Sequence, residues 1–295
     1  MKSSIRILLA ALAAIALATP AALAQRQLGK KKGPTSKLYL AEAVGEGNIT
    51  TDGKAHEPKQ ATAFDAPGTV IETNKDSHQA FVYSNGTAML VDENTRVEVD
   101  RFVQEPFKPD RDKSTEVEPS ISQSDVFVSR GQVNICTSQM VSGSTMSYST
   151  PNSATSIRGG KVAVTTDGNE STIYLLEGDV TVRGSGKDTG GVLLRPGEKA
   201  TITSAGRGRP PIIKVAPIES DLIGKLDEKI AAACAAKKTV SFETIEQKSN
   251  FGAEGAPETP AGAPPPEEEI VAKPTTPETP PTNITVSPDR LPGGE

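Results

Sequence analysis

Apolar and polar positions alternate along residues 61–216, in short runs separated by Gly, Asn or Asp. A period of two residues places successive side chains on opposite faces of a strand, so the pattern predicts an all-β domain of short strands. The predicted strands are 68–73, 79–84, 87–91, 95–103, 145–150, 171–184 and 191–204, with two more within 125–136 around Arg130-Gly131. Residues 37–45 are a candidate first strand. In 95–103, Phe102 shares the face of Val97 and Val99 only if a bulge shifts the period.

Glycine borders most of these runs, and a glycine pair divides the stretch TPNSATSIRGGKVAV at 150–164. A Walker-type phosphate loop needs a Gly-Lys-Ser/Thr sequence before a helix, whereas the β-branched run KVAVTT follows this pair. We therefore interpret the glycines as turns, or as close backbone contacts where φ is positive or a side chain would clash. The recurrence predicts a β roll or solenoid of short strands filled by small aliphatic side chains. The glycines concerned are Gly86, Gly131, Gly159, Gly160, Gly178 and Gly197.

The two ends of the chain differ from this region. Residues 1–24 combine Lys2 and Arg6 with an apolar stretch and the small-x-small sequence Ala22-Leu23-Ala24, which is typical of a cleavable export signal. A membrane anchor is the alternative, although the apolar stretch is shorter than the roughly 18–20 residues that a spanning helix needs. We expect a polar segment over 25–60 and a periplasmic or secreted protein with no stable membrane span after cleavage.

A helical period replaces the strand period over residues 220–238, with Ser220 as the predicted N-cap. Its apolar positions recur at spacings of three and four residues: Leu222, Ile223, Leu226, Ile230, Ala233 and Cys234. We expect this amphipathic helix to pack on the β domain. An exposed helix that binds a partner is the alternative.

From residue 242 to the end the chain is rich in Pro, Glu, Thr and Gly, which predicts a disordered tail. Residues 252–295 hold eight acidic and two basic residues, a net charge of −6. A passive spacer is one interpretation of the tail. The partly apolar sequence NITVSP at 283–288 is a candidate docking segment.

The composition restricts the chemistry. Aromatic residues make up 4% of the chain and Trp is absent, which suits a core of small aliphatic residues. The net charge of −5 argues against general attraction to nucleic acid. His56 and His78 lie in polar, turn-like surroundings, and we find neither a zinc cluster nor a set of nucleophile, base and orienting residue. We therefore expect no enzyme activity, no cofactor and no metal.

The chain has two cysteines, Cys136 and Cys234, and an exported chain with one such pair is a disulfide candidate. In the strand VNIC, Val133 and Ile135 share one face while Cys136 lies on the other. If the first two fill the roll, a helix on its outer face would bring Cys234 to Cys136. Two separate buried thiols are the alternative.

Several of these pieces occur in an order that resembles the FecR-type periplasmic domain, known from iron-dicitrate-type surface signalling. They cover 68–203 and begin with GTVIETNKDSHQAFVYSNGTAMLVDENTRVEV. Next come VFVSRGQVNI, YSTPNSATSIRGGKVAV and TIYLLEGDVTV, and then a Gly-x-x-Leu-x-x-Gly-Glu pattern in GVLLRPGEKATI. Family members often have Arg-Gly-Thr at the position where this chain has Arg158-Gly159-Gly160. Sigma-regulating members carry a cytoplasmic segment and a transmembrane helix before the domain, where this chain has the export signal.

Three classes of function are compatible with these features. The first is an exported, non-catalytic FecR-like binding or scaffold module of the cell envelope, with an unknown envelope protein or cell-wall component as its partner. The second is a signalling component that relays an envelope signal to a membrane or sigma-factor-regulating partner. An enzyme is the third, and it would require a convergent site that the residues do not supply.

Overall fold

The structure is a computed structural model that describes residues 36–107, 116–186, 190–206, 209–246 and 268–274 of the 295-residue chain. The predicted export signal lies outside the described residues. Side chains are described as far as residue 240.

Strands make up most of the described chain. Those of the first half are β1 (Lys37–Val44), β2 (Gly47–Thr51), β3 (Lys54–His56), β4 (Thr62–Asp65), β5 (Val70–Thr73), β6 (His78–Tyr83), β7 (Ala88–Val91), β8 (Arg96–Gln104) and β9 (Ser122–Cys136). Those of the second half are β10 (Thr145–Ser149), β11 (Ser153–Thr166), β12 (Glu170–Gly184), β13 (Gly191–Leu194), β14 (Glu198–Thr203), β15 (Ile212–Pro217), β16 (Val240–Glu246) and β17 (Glu268–Pro274). The helix α1 (Ser220–Lys238) lies between β15 and β16.

Strands β1 to β15 form one open sheet whose main path runs β15-β14-β12-β11-β10-β9-β7-β6-β1-β4. Its long strands change partners part-way along. The first half of β9 pairs with β8 and β10, while its second half pairs with β7 and β11. Likewise, β12 pairs with β14 before Gly178 and with β13 after it. The prediction of an all-β roll with one C-terminal helix is confirmed.

The inner faces of the sheet enclose one apolar core made mostly of Val, Ile and Leu. Strand alternation places Val133 and Ile135 in this core, as predicted, and Cys136 on the outer face. The bulge that Phe102 requires is also present, because the register of β8 against β9 shifts between Val99 and Arg101. Phe102 is fully buried as a result.

The interpretation of the glycines as turns is wrong for four of them. Gly131 lies inside β9, Gly159 and Gly160 lie inside β11, and Gly178 lies inside β12, so each long strand continues through its glycine. In particular, Arg130-Gly131 does not separate two strands. All four have positive φ, from 87° to 125°. Gly86 and Gly197 lie in the short connections β6–β7 and β13–β14.

The close backbone contact that we considered for Gly160 is present between β11 and β12. A Cβ atom on Gly160 would lie 1.9 Å from the carbonyl oxygen of Glu177, and one on Gly178 would lie 1.9 Å from that of Gly159. These distances are far shorter than any real carbon contact. Only glycine fits at this crossing, where the paired strands bend together.

Two predicted boundaries also need correction. The β domain begins before residue 61, because β1, at the candidate first strand 37–45, lies between β4 and β6 and buries Leu38 and Leu40 completely. At the other end, the predicted tail starts at residue 242, yet β16 continues to Glu246 and pairs antiparallel with β17. The rest of the tail lies outside the described residues.

We predict that Gly160→Ala destabilises the protein by roughly 2–5 kcal/mol, because it adds a backbone clash to the strain of a positive φ. Gly68→Ala should lose only about 1 kcal/mol, since Gly68 has a φ of +77° and open space around its Cα. Gly224→Ala, on the exposed side of α1, should gain up to about 1 kcal/mol. Urea unfolding of the three variants measures these differences, and equal losses for Gly160→Ala and Gly68→Ala would contradict the steric explanation.

Candidate functional site

Helix α1 covers the outer face of the sheet over strands β1, β6, β7, β9 and β11. Its buried side chains are Leu226, Ile230, Ala233 and Ala236. The sheet meets them with mainly small residues, which let the helix approach closely: Ala41, Ala80, Val82, Ala88, Leu90, Cys136 and Ala163, together with Tyr39. The helix and the outer face of the sheet therefore enclose a second apolar cluster, separate from the core of the roll.

A disulfide joins this helix to the sheet. Cys136 on β9 and Cys234 on α1 are bonded, with their Cα atoms 5.3 Å apart, within the usual range for a disulfide. Neither sulfur is a free thiol, so neither is available as the nucleophile of a Cys–His pair. The bond closes a loop of 98 residues.

Polar contacts hold the helix along its length. At the N-terminus the cap position is Glu219 rather than the predicted Ser220, and it makes no side-chain capping bond. Instead Lys199 on β14 donates a hydrogen bond to Glu219, which raises the pKa of Lys199 and lowers that of Glu219. In the middle of α1, Lys229 donates to Asp92, which follows β7.

Lys237 holds the C-terminal end of the helix. Only 7% of this residue is exposed, and its Nζ lies 3.5 Å from the carbonyl oxygen of Thr137, next to the disulfide. Burial disfavours the charged amine and lowers the pKa of Lys237 to about 8. The neighbouring charges of Glu116 and Lys238 have smaller and opposite effects.

A groove of about 380 Å³ separates the N-terminal half of α1 from the ends of β6, β7 and β9. Its apolar lining comes from Leu90, Leu222, Leu226 and Ala232. Polar and charged side chains form the rest: His78, Asp92, Gln132, Lys225, Glu228 and Lys229. A concave surface that combines apolar side chains with polar and charged ones is a candidate recognition site.

Sequence reasoning did not find this groove. His78 was considered only as a catalytic base, and in the structure its Nε2 lies 3.7 Å from Glu42 while its side chain lines the groove. Lys229 and Asp92 are 137 residues apart and belong to no motif. The helical period of α1 identified Leu222 and Leu226 as apolar positions, which was the one available signal.

A buried carboxylate was also missed, and its role is structural. Glu118 is 3% exposed and accepts hydrogen bonds from the Asn85 side chain, the Ser122 hydroxyl and the Val141 amide. These bonds tie the β6–β7 turn to the segment before β9. All three donors are neutral groups of the fold itself, so Glu118 is placed to support a turn rather than to reach a ligand.

Two other kinds of site are absent from the described residues. No group of three or more His, Cys, Asp or Glu side chains there is arranged to hold a metal ion. Nor is α1, the helix of the described chain, apolar enough to cross a membrane.

Comparison with known families identifies the domain that carries most of this sheet. Residues 69–181 match the family model of the FecR protein. The chain contains a FecR-type domain. The match begins just before β5 and ends within β12, so it includes Cys136 but neither Cys234 nor α1. The resemblance inferred from the sequence is confirmed.

Among solved structures, two crystal structures of a putative anti-sigma factor from Parabacteroides distasonis ATCC 8503 are similar to the chain, with 14% and 12% identity and TM-scores of 0.38 and 0.37. Each similarity covers 52% of this chain and 62% of the other, less than two thirds of its length. Scores this low do not establish a shared architecture. No curated protein matches the chain.

In the FecR-type domain, the sheet side of the groove comes from His78, Leu90, Asp92 and Gln132, all within 69–181. The other side comes from α1, beyond the match. The groove is therefore formed jointly by the matched domain and by a helix that lies outside the match.

We predict that Cys136→Ala/Cys234→Ala lowers the free energy of unfolding by roughly 4–5 kcal/mol, because an unfolded chain without the cross-link gains the entropy of an open loop of about 100 residues. Urea unfolding with and without reductant measures the loss. Reductant should destabilise the wild type and leave the double variant unchanged. Labelling of the unfolded, unreduced protein provides the check, and two free thiols per chain would contradict the bond.

We predict that the stability of the protein rises between pH 8 and about pH 10 through Lys237. In that window the unfolded lysine, with a pKa of 10.5, still binds the proton that the folded lysine, with a pKa of about 8, has released. The unfolded state therefore binds more protons, and stability increases with pH. Lys237→Met should remove this increase, whereas Lys238→Met, at an exposed position, should keep it.

The pH range must stop near 10, because burial raises the pKa of Tyr83 and Tyr148. Above that pH their unfolded forms ionise first, which lowers stability and opposes the effect of Lys237. Denaturant unfolding at four or five pH values tests the prediction. An equal slope in wild type and Lys237→Met would contradict it.

Proposed function

We propose that the protein is an exported, non-catalytic binding or scaffold module of the cell envelope, built on its FecR-type domain. Its partner is an envelope protein or a cell-wall component. The groove beside α1 is the observation that carries this proposal, because it combines apolar and charged side chains on a disulfide-linked frame. The expected export signal supports a location outside the cytoplasm.

The groove is suited to recognition by contact. Leu222 is partly exposed and provides apolar surface beside the buried Leu90, and the exposed Lys225 and Glu228 provide one charge of each sign. Lys229 and Asp92 already satisfy each other, so they shape the wall and are less available to a ligand. A short peptide segment with one aliphatic anchor between polar residues matches this arrangement.

The proposal that the protein is non-catalytic depends on the catalytic groups that are missing from the groove lining. A hydrolytic site needs a nucleophile, a base that activates it and donors for the developing charge. Here the cysteines are bonded to each other, and His78 lies beside Glu42 with no Ser, Thr or Cys in the groove lining. The groove residues therefore support binding and no step of bond cleavage.

A signalling component that relays an envelope signal to a membrane or sigma-factor-regulating partner is the second candidate. The match of residues 69–181 to the FecR protein favours it, since the resemblance implies surface signalling. Both proposals share the same surface and differ in the partner. A membrane protein recovered with the groove would favour signalling, and retention on isolated cell wall would favour the scaffold.

The test is retention of partners from envelope extract by the immobilised chain without residues 1–24. We expect Leu222→Glu and Lys225→Glu to lose the partner at least about tenfold, because one removes the apolar anchor site and the other reverses a charge in the groove lining. Ile223→Glu and Lys238→Glu are matched controls on exposed positions of the same helix that do not line the groove.

Isolated cell-wall material is tested in parallel by co-sedimentation with the same four variants. Circular dichroism of each variant shows that α1 is retained. If the groove variants and the controls bind alike to every retained protein and to the wall, the groove is not the binding site and this proposal fails.

A further inference from the structure

The last strand of the sheet leaves the core open at its edge. Strand β15 pairs with β14 and, in the described residues, with nothing on its other side. Its residues Ile213 and Val215 lie opposite Ile202 and Ala200, which are fully buried, so they share the core-facing side. Val215 nevertheless remains 41% exposed. The core therefore ends at β15 without a covering strand.

The form of this edge restricts what can pair with it. Pro210-Pro211 precede β15 and Pro217 ends it, and proline has no amide hydrogen to donate. Only a short segment can pair between them, which protects the edge from extended aggregation. The exposed cations Lys214 and Arg209 favour an occupant with an acidic residue close by.

We propose that residues 283–288 of the chain's own tail, NITVSP, add to β15 as an antiparallel strand. Ile284 and Val286 are two residues apart and so share one face of a strand. A register with Ile284 opposite Val215 and Val286 opposite Ile213 covers the open edge of the core. The same register brings Asp289 next to the position of Pro210, beside Arg209.

The length of the intervening chain allows this placement. Pro274 of β17 pairs with Val240, just after the end of α1, while Pro217 lies just before its start. A 19-residue helix is about 28 Å long, and nine peptide steps from 274 to 283 span about 30 Å when extended. The segment therefore arrives at the Pro217 end of β15 and runs towards Ile212, in the antiparallel direction.

The test is hydrogen exchange of the outward-facing amides of β15 in the chain without residues 1–24, followed by NMR. We expect these amides to exchange at least roughly tenfold faster in Ile284→Asp/Val286→Asp than in the wild type, because a docked tail shields them. Leu291→Asp, in the tail but outside the segment, is the control and should match the wild type. Amides of β14 that bond β15 report that the sheet is intact.

A chain ending at residue 282 provides the second measurement. A synthetic peptide of residues 282–291 added to it should restore the protection, and the Ile284→Asp/Val286→Asp peptide should not. Equal exchange in wild type and the double variant would overturn the proposal. So would protection that rises with protein concentration, which would show a second copy at the edge, or protection that appears only with envelope extract. These results are independent of the groove experiment.

Discussion

The crossing of β11 and β12 is the contact on which the rest of the structure depends. At Gly160 and Gly178 the two backbones approach to a distance that excludes any side chain. Because both strands bend there while staying paired, one sheet can turn over on itself and bury its own face. Short aliphatic side chains then suffice to fill the space, and the fold needs few aromatic residues.

The bend also determines what lies outside the roll. Where β9 passes from one set of partners to another, alternation sends Val133 and Ile135 inwards and Cys136 outwards. The small residues around Cys136 form an outer surface that α1 can approach closely. The disulfide and Lys237 hold the C-terminal half of the helix. The groove lies beside the N-terminal half of the helix.

Much of the β fold could be predicted from the sequence because alternation depends on neighbouring residues alone. That pattern identified most strands, the buried faces and the need for a bulge before Phe102. It could not show that strands continue through Gly131 or Gly178, because a glycine with positive φ looks the same in a turn and in a bent strand. The groove could not be predicted from the sequence for another reason: Asp92 and Lys229 come together only because α1 packs on the sheet.

The division of the groove between two parts of the chain bears on how specificity would arise. One wall of the groove is formed by residues within the FecR match, which ends at residue 181. The other wall is formed by the helix at 220–238. Substitutions on this side of the helix can change its contacts without disturbing the roll, because Leu222 and Lys225 have no role in the core of the roll. The disulfide restricts that helix to one position and so lowers the ordering cost of binding. Specificity for a partner would then depend more on α1 than on the domain that identifies the family.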